Sequence, residues 1–266
     1  MLPYPHINPV IFRLGPVAVR WYGLMYLLGF LAAYFLARRD LRLAGHPELQ
    51  KTLEDVIFWA GVGLIVGARL GHVFFYYPSY YLHRPLEILA VWHGGMSFHG
   101  GLLGSVIAGW LYARHRGLNF WWWADLLVVY APIGLGLGRI GNFINGELYG
   151  RPTHVPWAMI FPAGGPVPRH PSQLYEALGE GLILFLILFS LRRKKWPEGF
   201  KLALFLVLYG SIRFGLEFFR EPDPGVGLFW GWMTRGQFFC LLMFLVGVGL
   251  FLLRRKAPQK GPYLAG

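Results

Sequence analysis

The sequence is poor in charge, poorer in acids and nearly without cysteine. Only 14% of its 266 residues are charged, against about 25% in soluble domains, while 55% are hydrophobic and 18% aromatic. A soluble core of this size cannot bury that much apolar surface, so an ordinary soluble domain is excluded. Asp and Glu number 13 against 25 Lys and Arg, a formal charge of +12, so the few charges are mostly basic. A lone Cys240 in an apolar stretch excludes an intramolecular disulfide framework and reads as a small buried hydrophobe, with no redox chemistry expected. No internal repeat is seen, and collagen and disordered-linker classes are excluded by composition. The opening MLPYPHINPVIFRLG lacks both a lysine-rich start and a small-residue cleavage site, so a removable signal peptide is not expected.

What the chain does have is long apolar runs. A helix crossing the hydrocarbon core needs about 20 mostly apolar residues, and seven stretches qualify, at approximately 17–37, 56–76, 95–113, 120–139, 174–191, 200–219 and 236–253. They predict an all-α integral membrane protein, one polytopic domain over 1–266 with short connections and a small irregular outer-face region. Basic residues follow every second span: Arg38, Arg39, Arg42 and Lys51; Arg114 and Arg116; Arg192 to Lys195 with Lys201; Arg254 to Lys256 with Lys260. By the positive-inside rule these connections are cytoplasmic, the N-terminus lies outside and the C-terminus inside. The connections after the second, fourth and sixth spans carry Gly, Pro, Trp and Tyr instead, as outer turns and an interfacial belt do.

Ionisable groups within spans are costly and point to function by default. With this orientation Arg69 and His72, His99, Arg139, and Arg213, Glu217 and Arg220 all fall toward the outer leaflet. Tyr209, Arg213, Glu217 and Arg220 stand at i, i+4, i+8 and i+11, one narrow helical face. Glu217 between two arginines is either a ladder rung pinning helices or an orienter of the guanidinium groups. The fourth span ends GLGLGRIGNFINGELYG. Its glycines suit close helix packing, but Arg139, Asn142 and Asn145 at three-residue spacing add a polar strip that packing does not require. Amides with a guanidinium form a donor set suited to a phosphate, and Glu147 can hold those donors in place. His99, flanked by glycines, is either a hydrogen-bonded structural residue or a proton-transfer group. Metal binding is disfavoured, since the histidines lack a pairing such as H-E-x-x-H and arginines would repel a cation.

At these residues the chain resembles the bacterial phosphatidylglycerol:prolipoprotein diacylglyceryl transferases. The signature G-R-x-[GA]-N-F-x-N-x-E-x-x-G is matched throughout 138–150, and WYG at 21–23, GGMSFHGG at 94–101, HPSQLYE at 170–176 and the Tyr209 to Arg220 face leading into EPD match further blocks. The resemblance implies transfer of the diacylglyceryl group of phosphatidylglycerol to the lipobox cysteine thiol of a preprolipoprotein, giving a thioether and glycerol phosphate. It implies a bacterial cytoplasmic membrane protein with its site toward the outer leaflet. Arg139 and Arg213 are then essential, with His99 and Tyr22 as further catalytic candidates. Asn142, Asn145, Glu147, Gly150, Tyr209, Glu217 and Arg220 form the substrate-binding set. No metal or other cofactor is expected. Whether His99 serves as base for the thiol or orients a substrate stays open, as does a role for Tyr22. The main alternative is a transporter for anions or lipid headgroups, against which stand the missing inverted repeat and the nearly apolar inner halves of spans one, three, five and seven. An intramembrane serine protease would need more than Ser97 beside His99 without a G-x-S-x-G frame.

Overall fold

The computed structural model describes residues 2–15, 17–75, 77–90, 95–222 and 231–263, and of Leu14, Val17, Phe98 and His99 the backbone only. The described chain is mostly helical. It begins with an antiparallel hairpin, β1 (Val10–Leu14) and β2 (Val17–Arg20). The helices are α1 (Trp21–Leu43), α2 (Gln50–Phe75), α3 (Pro78–His83), α4 (Phe98–His115), α5 (Phe120–Val128), α6 (Ala131–Asn145), α7 (Ser172–Glu176), α8 (Leu184–Leu191), α9 (Phe200–Leu216) and α10 (Arg235–Arg254). A π-helical stretch, Ala177–Ile183, joins α7 to α8.

Among the described residues four helical segments are long and apolar enough to cross a membrane: α1, α2 with the short turn before it, Ser172–Leu191 and α10. The bent pair α5 and α6 makes a fifth. Helices α4 and α9 overlie the two remaining apolar runs but have 18 and 17 residues, about 27 and 25 Å at 1.5 Å per residue, less than a hydrocarbon core of about 30 Å. Large apolar side chains stay exposed along these helices, among them Leu27, Phe35, Phe58, Val246 and Leu253, as a lipid-facing surface requires.

Several expected boundaries are corrected. The run predicted to start a helix at residue 17 is strand until Arg20, because the β-branched alternation of VAVR pairs with β1. The arginines expected to follow this span lie in the last turns of α1. The single span expected over 120–139 breaks after Val128 and turns by 45°. Pro132, in the first turn of α6, has no N–H with which to continue the ladder of α5. Helix α6 then runs on to Asn145, so the irregular region starts at Gly146 rather than near 141. Helix α9 stops at Leu216, three residues short of the expected span.

The chain forms two compact units. The first comprises Met1–Ala37 and Ala124–Gln259, the second Arg38–Trp123 and Lys260–Gly266. In the second, α2 and α4 meet backbone to backbone. A Cβ on Gly67 would stand 2.7 Å from the Cα of Gly104, and one on Gly71 would stand 2.8 Å from the Cα of Gly100, the close approach that small-residue stripes permit. Arg69, expected near a functional cluster, is buried here and donates to the carbonyls of Glu87, Ile88, Ala90 and Gly95. It pins the segment leading to α4. Ser97 is the N-cap of α4, its hydroxyl accepting from Gly100 N at 3.2 Å, a capping role in place of a nucleophile's.

In the first unit, α9 and α10 touch where Gly210 meets the carbonyl of Cys240 and Gly247 meets Val207. Cys240 is buried, as expected of a small hydrophobe. The carboxylate of Asp125 on α5 accepts from Gly199 N and Leu202 N at 2.9 Å, capping the start of α9 from another helix. The irregular region after α6 is seated on Tyr4, Phe143, Met159 and Phe161. The Tyr4 hydroxyl donates to the carbonyl of Phe143 at 2.7 Å, and burial raises its pKa above the ordinary phenol value.

Candidate active site

The polar strip of α6 is built by the end of the helix. Gly146 takes the left-handed conformation (φ 68°) that stops α6. Leu148 two residues later is also left-handed (φ 57°), uncommon for a residue with a branched side chain. The strained turn is held from α7: Gln173 Nε2 donates to the carbonyl of Glu147 at 2.6 Å and Ser172 Oγ to that of Leu148 at 3.0 Å. So fixed, the Glu147 carboxylate points back along α6. Its Oε1 accepts from Asn142 Nδ2 at 2.8 Å and Asn145 Nδ2 at 3.1 Å. Glu147 thus orients both amides, as their spacing suggested, and Asn145 Oδ1 stays buried without a hydrogen-bond partner among the described residues. Tyr22 on α1 packs against Gly141, and its hydroxyl donates to that of Tyr26 at 3.2 Å.

Arg139 and Arg213 come together around two carboxylates that the sequence reading did not single out. Arg139 Nε lies 3.0 Å from Glu176 Oε2, and its Nη2 donates to Glu180 Oε2 at 3.4 Å. Arg213 Nη1 donates to Glu176 Oε1 at 2.9 Å, its Nε lies 3.4 Å from Glu180 Oε1, and its Nη2 lies 2.6 Å from Glu217 Oε2. Glu217 is therefore an arginine partner, and its Oε1 accepts from Thr234 Oγ1 at 3.0 Å. It stands just past the end of α9. Arg220 reaches the cluster through the following turn rather than along a helical face, its Nη1 3.9 Å from Glu176 Oε1. Tyr209, also buried, sits one turn before Arg213. Glu176 and Glu180 are fully buried, the Arg213 side chain is 9% exposed and the Arg139 side chain 19%, so Arg139 is the more open of the two arginines.

Gly150 has a packing reason for its identity. Residues around it are laced to two other strands of chain, Gly150 N to His170 O and Arg151 N to Phe219 O, both at 2.9 Å. A Cβ here would stand 2.6 Å from the carbonyl oxygens of both His170 and Phe219. Burial holds the imidazole of His170, flanked by Tyr175 and Phe219, below its ordinary pKa. His99 lies by its backbone in the first turn of α4; its side chain, and residues 91–94 with His93 and Gly94, are outside the described residues.

A buried network of arginines and carboxylates beside oriented amides is costly in an apolar chain so poor in charge, and such a cost points to function by default. The family model described as prolipoprotein diacylglyceryl transferase matches residues 9–253. The chain belongs to the prolipoprotein diacylglyceryl transferase family. Relatives named phosphatidylglycerol--prolipoprotein diacylglyceryl transferase match nearly end to end. One from Geobacter sulfurreducens is 54% identical over 96% of this chain and 99% of its own. Others, from Nitratidesulfovibrio vulgaris (strain DSM 19637 / Miyazaki F) and Bordetella avium, are each 51% identical over 98% of this chain and 99% and 100% of theirs. This diacylglyceryl transferase accordingly acts in lipoprotein lipidation, and its apolar helices fit a membrane enzyme.

Ser172, Gln173 and Glu176 entered the sequence reading only within the HPSQLYE block and Glu180 not at all, yet all four contact the arginines or the turn that carries Glu147. The signal was there: two carboxylates four residues apart inside an apolar run carry the same cost as the arginines.

Proposed function

We propose that the enzyme attaches the diacylglyceryl group of phosphatidylglycerol to the thiol of a lipobox cysteine, using the guanidinium groups of Arg139 and Arg213 to hold the lipid phosphate. The observation that carries this reading is Arg139, partly open, tied to Arg213 through shared carboxylates beside the Asn142 and Asn145 amides. The thiolate attacks the glycerol carbon that bears the phosphodiester. A C–S bond forms, the C–O bond breaks, and its electron pair goes to the phosphate oxygen of the departing glycerol phosphate. Guanidinium groups fixed beforehand stabilise that growing charge where little water screens it. The thiol proton passes to a base, for which His99 and Tyr22 are the candidates. Arg220, Tyr209 and Glu217 shape the same pocket wall, and Gly150 keeps the adjoining turn close.

In this reading the chain is a single polytopic domain of the bacterial cytoplasmic membrane, crossing seven times with the N-terminus outside. The site faces the outer leaflet, so the lipid tails stay in the membrane while glycerol phosphate departs outward. The alternation of basic connections supports the orientation, and helices over all seven apolar runs support the count.

The test uses detergent-solubilised protein, labelled phosphatidylglycerol and a lipobox peptide. Thioether product and glycerol phosphate are expected in equal amounts, and replacing the peptide cysteine by serine stops both, because the hydroxyl is a far weaker nucleophile at neutral pH. Unchanged headgroup release with the serine peptide would make the protein a phospholipase, and lipid movement across vesicles without thioether would make it a transporter.

A further inference from the structure

Glu176 and Glu180 have no part in the transfer step as described, yet they are the most deeply buried charges of the site. Each touches both arginines, closing a ring of alternating charge: Arg139, Glu176, Arg213, Glu180. A glutamate side chain spans this gap because the backbones behind it touch. Gly181, next to Glu180, meets Gly136, one turn before Arg139, with each added Cβ falling within 3 Å of the other's Cα. The contact occurs inside the π-helical stretch Ala177–Ile183, a widened turn of the kind found at functional sites.

Two consequences follow from the ring. All three nitrogens of Arg213 face carboxylates, whereas Nη1 of Arg139 has no carboxylate beside it among the described residues. The direction in which Arg139 presents a donor is therefore fixed by Glu176 and Glu180. In addition, Arg139, Arg213 and Arg220 are matched by Glu176, Glu180 and Glu217, so the formal charge of the cluster is zero. Three guanidinium groups without those partners would bind a dianionic phosphate monoester tightly in a poorly screened site and delay its release.

We propose that Glu180, together with Glu176, is a positioning residue of the transfer reaction: it aims Nη1 of Arg139 at the lipid phosphate and offsets the arginine charge so that glycerol phosphate leaves. It acts through the arginines and does not touch the lipid. The inference rests on the reading of Arg139 as the phosphate-facing group.

The experiment compares the full-length wild-type protein with E180Q, E180D and Arg139→Lys in detergent, measuring kcat, KM for phosphatidylglycerol, inhibition by added glycerol phosphate, and thermal unfolding. For E180Q, kcat falls at least about tenfold, KM does not rise, and glycerol phosphate inhibits at about tenfold lower concentration, since one carboxylate no longer offsets the arginines. E180D, which keeps the charge, returns product inhibition toward that of wild type. A merely structural glutamate would weaken lipid and product binding together, and folded E180Q with wild-type kcat and product inhibition would overturn the proposal. If E180Q is not recovered folded, E176Q carries the same readings. The wild-type protein adds one that needs no variant: glycerol phosphate should inhibit only at millimolar levels, and a micromolar product complex would overturn the proposal. Loss of turnover in Arg139→Lys beside an unaltered E180Q removes the positioning role alone. Near wild-type turnover in Arg139→Lys removes the reading beneath it.

Discussion

Glu147, in the turn just past α6, is placed by its neighbours. Two left-handed residues flank it, Gln173 grips its carbonyl, and its carboxylate gathers two amides of α6. Exchanging that carboxylate for an amide weakens charge-assisted hydrogen bonds worth about 1.5 to 3 kcal/mol each. Glu147→Gln should therefore lower kcat/KM for phosphatidylglycerol at least about tenfold, the equivalent of roughly 1.4 kcal/mol, while the unfolding temperature hardly moves. Wild-type turnover in that variant would mean that the amides need no orienter. The strip of Arg139, Asn142 and Asn145 was legible from spacing alone, because an α-helix brings residues three apart to one side. Glu217 was legible as an arginine partner for the same reason. Glu176 and Glu180 were not read, since the apolar residues around them mark the segment as a span and no local pattern says which helix answers them. Their partners lie 33 residues and more away in sequence, a relation set by packing.

At the scale of the elements, glycine decides how near two helices come. Along α2 and α4 the stripe of Gly63, Gly67 and Gly71 against Gly100 and Gly104 leaves no room for a Cβ. Gly109 on α4 has open space instead. Gly104→Leu should destabilise the protein in detergent by about 1 to 3 kcal/mol or more through overpacking, seen as a lower unfolding temperature, and Gly109→Ala should be neutral. Equal effects at the two positions would show that the stripe is not what joins the helices. Apolar length made the helices legible, but their ends were not. The break before α6 depends on Pro132, which tolerates a first-turn position and so does not by itself announce a bend. The hairpin before α1 was hidden because a short apolar run suits strand and helix alike, and the turn carrying Arg220 to the cluster follows from pairing with Gly150 rather than from helical periodicity.

For the whole molecule, scarcity of charge makes each charge informative. Basic residues gather in alternate connections, while Glu176, Glu180 and Glu217 pair with arginines and Asp125 caps α9, so a few charged residues carry both the orientation and the site reading. Because the single native cysteine is buried, an added one reports with little background. An impermeant maleimide on intact cells should label Val167→Cys, in the irregular region after α6, and leave Arg193→Cys unlabelled; the reverse pattern would invert the proposed orientation.

Stabilisation of the departing phosphate by the cluster around Arg139, as proposed for diacylglyceryl transfer, rests on one guanidinium group above all. The most direct measurement follows thioether formation and glycerol phosphate release side by side in wild type and Arg139→Lys, with folding checked by thermal unfolding. A lysine keeps the charge but not the planar fork that meets Glu176 and Glu180 through Nε and Nη2. Both products should fall together by at least about a hundredfold, a loss of roughly 2.7 kcal/mol of the kind that follows removal of a stabilising donor, in a protein that unfolds like wild type. A folded Arg139→Lys enzyme that forms thioether and releases glycerol phosphate at near wild-type rates would contradict the claim.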